Sequence, residues 1–162
     1  MDNKIPATLA HVVDVVNIVC RDLDPSGHFR PFSAGRWVRL IHLAADEDIE
    51  HVLLMLDAEP TLLTAYVIVH LDDAAHHAVA LAQAIARANY GLLPGCFEID
   101  LDSGETRFRT TLNFRADTIK HREVAQLLAD ALLMTKTYAP AFRKVIQSGV
   151  SPMDAIEEIE SA

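Results

Sequence analysis

The residues of this chain that could do chemistry are its histidines, two thiols and a few strand-borne carboxylates. Eight histidines occur in 162 residues. His76 and His77 are adjacent at a helix start, so they point to different sides, whereas a metal needs two ligands on one face plus others. His42, His51 and His70 fall on three strand-like runs. Their convergence would make a metal or small-ligand site, and a one-residue slip of register would undo it. Surface or satisfied core histidines are the plainer reading. Cys20 and Cys96 form neither a CxxC unit nor a zinc spacing, and both read as reduced thiols. Glu98 and Asp100 share a strand face and can oppose Arg107 and Arg109 across a hairpin. Such partners keep both acids ionised, which suits a cross-strand charge set or a polar patch for a partner better than an acid–base pair.

Phosphate-binding glycine loops and a GxSxG elbow are both absent from the sequence. Serines sit near turns, caps and ends. The expectation is a protein without catalytic activity and without a bound metal or cofactor. Net charge is −9 at pH 7, and 51% of residues are hydrophobic. Acidity of this size disfavours nucleic acid and anionic membranes and favours basic partners. Neither a signal peptide nor a run of about 18 apolar residues is present, so the expected location is the cytoplasm.

The elements that would position these groups follow from periodicity. Pro6 to Asp22 reads as a helix through Leu9, Val12, Val13, Val16 and Val19, with Leu23 following in the same stripe. Asp24 to Arg36, with two prolines and two glycines, reads as a loop in which Phe29 and Phe32 tuck against the body. Three strands are expected at Trp37 to Ala44, Ile49 to Leu56 and Leu62 to Leu71, the first pair joined by an acidic turn at Ala45 to Asp48. Asp72 and Asp73 look like caps for a helix from Ala74 to Tyr90, with Ala78, Val79, Leu81, Ala82 and Ile85 buried. Gly95 to Leu101 and Glu105 to Phe114 make a hairpin around Asp102-Ser103-Gly104. Its second strand puts Thr106, Phe108, Thr110, Leu112 and Phe114 on one face, and Arg107, Arg109, Thr111, Asn113 and Arg115 on the other.

A long helix follows, capped by Asp117 or Thr118 and striped with Val124, Leu127, Leu128, Ala131 and Leu132. Pro140 is expected to kink or split it before Gly149 ends it. Ser151 and Pro152 then begin a short acidic helix with Met153, Ile156 and Ile159 on one side. It is expected to be an appendage. The boundaries are one domain over residues 1–149 and an extension over 150–162. The order is α-β-β-β-α-β-β-α plus a short helix, an α+β protein with an antiparallel sheet packed on helices.

Ala88-Asn89-Tyr90, Gly95-Cys96-Phe97-Glu98-Ile99-Asp100, Gly104-Glu105-Thr106-Arg107-Phe108-Arg109, Tyr138-Ala139-Pro140-Ala141-Phe142 and Val145-Ile146 resemble the YbjN family, labelled bacterial sensory transduction regulators. Those proteins look like the type III secretion chaperone fold. The resemblance covers roughly residues 5–148, and implies a homodimer that acts through protein contacts, with no family active site to carry over.

The middle strands give the strongest functional signal. Leu63, Ala65, Val67, Val69 and Leu71 make one apolar face, while the other carries Leu62, Thr64, Tyr66, Ile68 and His70. Val52, Leu54 and Leu56 alternate with His51, Leu53 and Met55. A strand apolar on both faces is covered on both, either by helices of its own chain or by a second subunit or client. The expected function is a chaperone-like adaptor or regulator. Its partner-binding residues are expected among Tyr66, Ile68, Arg107, Arg109, Met153 and Ile156. The alternative is a ligand- or metal-binding module built on the strand histidines.

Overall fold

Alternating apolar residues make the strands, and the computed structural model, which describes residues 4–44 and 46–161, pairs them into one six-stranded antiparallel sheet. A one-turn 3₁₀ segment leads into α1 (Ala10–Val19), then β1 (Arg30–Ser33), β2 (Arg36–Ile41), β3 (Ile49–Asp57) and β4 (Leu62–Val69). After a second 3₁₀ turn come α2 (Ala78–Ala88), β5 (Cys96–Ile99), β6 (Thr106–Asn113), α3 (His121–Ser148) and α4 (Pro152–Glu160). Strand order is β1-β2-β3-β4-β6-β5. Ala45, in the expected acidic turn, lies outside the described residues.

The helices cover one face of the sheet. Its rows run Trp37–Leu56–Leu63–Leu112, Arg39–Leu54–Ala65–Thr110 and Ile41–Val52–Val67–Phe108–Phe97. Phe97 meets Phe108, Tyr138 and Phe142 edge-on at ring-centre distances of 4.9, 5.5 and 5.0 Å, so the aromatic residues of α3 lock onto β5 and β6. One charged side chain shares this interior. Arg39 is 1% exposed, and its guanidinium donates to Asn17 Oδ1 of α1 at 2.6 Å and to the Asp24 carbonyl at 2.9 Å.

Several expectations change. The loop before β2 contains a strand, β1, although Pro31 lies in it. Proline is tolerated there because β1 is an edge strand. Pro140 does not split α3, which continues through it to Ser148 and stops at Gly149 in the left-handed conformation, φ 62°. Neither Asp117 nor Thr118 caps α3. That place is taken by Lys120, whose backbone N–H donates to Glu123 Oε2 at 2.8 Å. Ahead of α2, Asp73 makes no cap bond, and residues 74–77 wind as 3₁₀ helix. Within α2, Ala78, Leu81 and Ile85 face inward as expected, joined by Ala84 and Ala88, whereas Val79 points to water.

The short C-terminal helix is part of the packing, not an appendage. Ser151 Oγ accepts the Asp154 N–H at 3.1 Å, Pro152 opens the helix, and α4 lies against α2 and α3 with Ala155 and Ile156 buried. Two of its acids pair with the neighbouring helices. Glu160 pairs with Arg87 at 2.8 Å and Glu158 with Lys144 at 2.6 Å.

Candidate protein-binding face

The sheet's second face has no helix on it among the described residues. Register puts Val38, Met55, Thr64 and Thr111 in one row, Leu40, Leu53, Tyr66, Arg109 and Cys96 in the next, and His51, Ile68, Arg107 and Glu98 in a third. The middle is apolar and only part-covered; Leu40 is 39% exposed, against none for its inner neighbour Ile41. At the β1 end, the loop after α1 rises over this face. It forms a groove of about 400 Å³ between Gly27, His28 and Arg30 on one side and Val38, Leu40 and Leu53 on the other.

The opposite margin is charged and ordered. Glu98 on β5 receives Arg109 Nε at 2.5 Å and Arg107 Nε at 3.0 Å. The Arg107 guanidinium also stands 4.5 Å from the centre of the Tyr66 ring, a cation–π contact. Burial works to raise the Glu98 pKa. The two arginines outweigh it and hold the carboxyl below its usual range, while Glu98 in turn raises Arg109. Asp100 makes no hydrogen bond to this network. It takes the Asp102 N–H in the hairpin turn at 2.9 Å, and that turn and its Ser103 contact lower its pKa, with the Arg107 charge helping. The hydrogen-bonded part of the expected four-charge set is therefore Glu98 with Arg107 and Arg109, Glu105 pairs with Arg107 at 3.7 Å, and Arg107 lies over the Tyr66 ring.

Of the six residues expected to bind a partner, Tyr66, Ile68, Arg107 and Arg109 share this face. Ile68 is only 6% exposed and acts as floor rather than contact. Met153 and Ile156 are elsewhere, on α4. Met153 is 63% exposed, but Ile156 is fully buried in the seam with α2 and α3, so it is not available to a partner. Val38, Leu40, Leu53 and Met55 share the face but are not among the six expected residues. The signal that finds them is the two-sided apolar alternation of β3, read together with its neighbour β2.

The strand histidines do not assemble. His51 sits beside Glu50 at 3.4 Å and His70 beside Asp72 at 3.8 Å. No three His, Cys, Asp or Glu side chains among the described residues are grouped to hold a metal ion. Cys20, at the C-terminal end of α1, is buried, and burial raises its thiol pKa despite nearby Arg39. Among the described residues, no helix is long and apolar enough to cross a membrane.

The fold has a known counterpart. A chain of the solved HopA1–SchA chaperone–effector complex superposes with a TM-score of 0.51 at 11% identity, over 82% of this chain and 96% of that one. At that identity the likeness concerns the fold, which is α+β and type III secretion chaperone-like. No family model and no curated protein matches the chain.

Proposed function

We propose that this chain is a chaperone-like protein-binding module, without catalytic activity, that docks a second polypeptide on the uncovered face of its sheet. The observation that carries the reading is the one-sided helix cover, which leaves Val38, Leu40, Leu53, Met55 and the Tyr66 ring as an apolar strip with a charged margin. Folded chains rarely leave such a strip unpartnered. The fold-level likeness to a chaperone–effector complex supports a protein as the occupant. The YbjN resemblance supports a cytoplasmic regulator whose first partner is a second copy of itself. A non-catalytic role is supported by the state of the shifted acids. Glu98 is held by two arginines, Asp46 by Lys136 and turn amides, and Asp24 and Asp100 by turn bonds, so each stays ionised in a structural contact.

Native mass spectrometry over a dilution series, on the wild type and Leu53→Glu, tests this. A dimer or a co-purifying protein that Leu53→Glu removes, with the fold intact by circular dichroism, supports the reading. A wild-type monomer with no bound protein at any concentration counts against it.

A further inference from the structure

A sheet edge is a row of backbone groups, and this molecule treats its edges unequally. β5 is covered. The Asn89 side chain at the end of α2 donates to the Phe97 carbonyl at 2.9 Å and accepts the Phe97 N–H at 2.8 Å, so both main-chain groups of Phe97, in the middle of the edge that faces away from β6, are occupied. One side chain thus occupies the place of a further strand and blocks pairing there.

β6 is not covered over its whole length. It pairs with β4 through Asn113, but with β5 only as far as Arg109. β5 begins where it does because Gly95 presses on β6. A Cβ there would stand 2.3 Å from the Arg109 carbonyl oxygen, and the Pro94 carbonyl, which accepts Thr110 Oγ1 at 3.5 Å, closes the head of the stretch beyond β5. Asp100 N–H donates to the Glu105 carbonyl at 2.9 Å, so Glu105 faces β5, and by alternation Arg107, Arg109, Thr111 and Asn113 do too. The Phe114 N–H donates the other way, to Thr61, as that alternation requires. The main-chain groups of Thr111 and Asn113 therefore face a lane with no strand in it, and no backbone bond from the described residues reaches them there.

Beside this lane is a cleft of about 430 Å³, lined by Pro94, Thr110, Leu112 and Leu127, with Arg122, Glu123, Gln126 and Asp130 of α3 near its mouth. Thr110 and Leu112 point to the helix side, so a strand laid in the lane would drop its inward side chain between Leu112 and Leu127. The lane beside Thr110–Asn113 is about 13 Å long, enough for roughly four residues. Two acids against one arginine at the mouth, on a chain of net charge −9, favour a basic neighbour.

We propose that the free edge of β6 takes a short extended segment of a partner protein, with an aliphatic side chain in the Leu112–Leu127 cleft and a lysine or arginine beside it. This rests on the reading of the chain as a protein-binding module, but uses a surface other than the open face. The segment adds backbone bonds at Thr111 and Asn113, and the cleft selects its side chain.

The test pans a randomised heptapeptide display library against the full-length protein, then measures the best synthetic peptide by fluorescence anisotropy. Thr111→Pro removes the outward N–H together with the hydroxyl that meets Thr64 Oγ1 at 3.1 Å, and proline is tolerated at such an edge position. Thr111→Val removes the hydroxyl but keeps the N–H, and Asn113→Pro serves as a second block should Thr111→Pro misfold. The expected result is an aliphatic–basic consensus that either proline weakens by about tenfold or more, with Thr111→Val and Leu53→Glu close to wild type. Peptides that bind the proline variants as well as wild type overturn the edge site, as does a failure to enrich any sequence. Peptides lost only in Leu53→Glu overturn it while leaving the open face standing as the binding surface. A dimer that Thr111→Pro dissolves, with no peptide bound, gives the edge to a second copy and overturns the partner segment.

Discussion

Ile41, Val52 and Val67 lie across one side of β2, β3 and β4, and Leu40, Leu53 and Tyr66 lie across the other, one residue along each strand. The strands are the same and the side chains comparably apolar, yet the first row has no more than 1% exposure while the second remains part-exposed. The difference lies in what sits above them. α3 brings Phe142 and Tyr138 down onto the first row's end of the sheet, whereas the second row has the loop of Gly27 and His28 at one end and the charged margin of Glu98, Arg107 and Arg109 at the other, with no helix between. Pleating makes a strand two-sided, but only tertiary cover makes a side a core.

The sharpest way to break this comparison is to delete matched apolar groups from each side. Phe142→Ala leaves a cavity against Phe97 and should cost about 3–5 kcal/mol in urea unfolding. Leu53→Ala, on the open side, should cost less than about 1 kcal/mol in the isolated chain, because the lost atoms were already partly wet. Equal costs would mean that the open side is covered in solution. Ile156→Ala comes next, at about 2–4 kcal/mol. A negligible effect there would return α4 to the status of an appendage.

Smallest is the effect of Glu98→Gln, about 0.3–1 kcal/mol at pH 7, since its pairs sit near the surface. Its pH dependence has a definite sign. The folded pKa of Glu98 lies below the unfolded value of about 4.3, so its contribution is present above that value and is lost as pH falls through the lower, folded one. The stability gap between wild type and Glu98→Gln should therefore be constant near neutrality and close below about pH 4. A gap that widens on acidification would mean that the two arginines are not what holds the acid ionised.

Much of this was legible in the residues. The clean alternation of Thr106 to Asn113 and the Asp102-Ser103-Gly104 turn placed the hairpin, and the valine-rich run before Cys20 placed α1. Three kinds of feature were hidden. β1 was masked by the turn-like residues around it, because edge strands tolerate the proline that would disqualify an inner one. In α2 the apolar residues span more than one face, so Val79 could not be told from its buried neighbours Ala78 and Leu81. Arg39 reads as a solvent-facing charge within an alternating strand, and only the proximity of Asn17 and the Asp24 carbonyl lets it lie inside. For the binding face, the sequence displayed the two-sided strands but not which side the helices choose, since that depends on contacts between residues far apart in the chain, such as Phe97 with Phe142. The function of the Ala88-Asn89-Tyr90 and Gly95-Cys96-Phe97 segments was likewise invisible apart from each other. Together they are a helix end that seals a strand edge.

The single tryptophan, Trp37, is 3% exposed and stands in the helix-covered rows. Its emission is thus a report on the protected side alone. Unfolding of the covered core should move the spectrum to the red, while a partner settling on Leu40, Leu53 and Tyr66 should leave it nearly still. The molecule carries its own optical means of telling docking from melting.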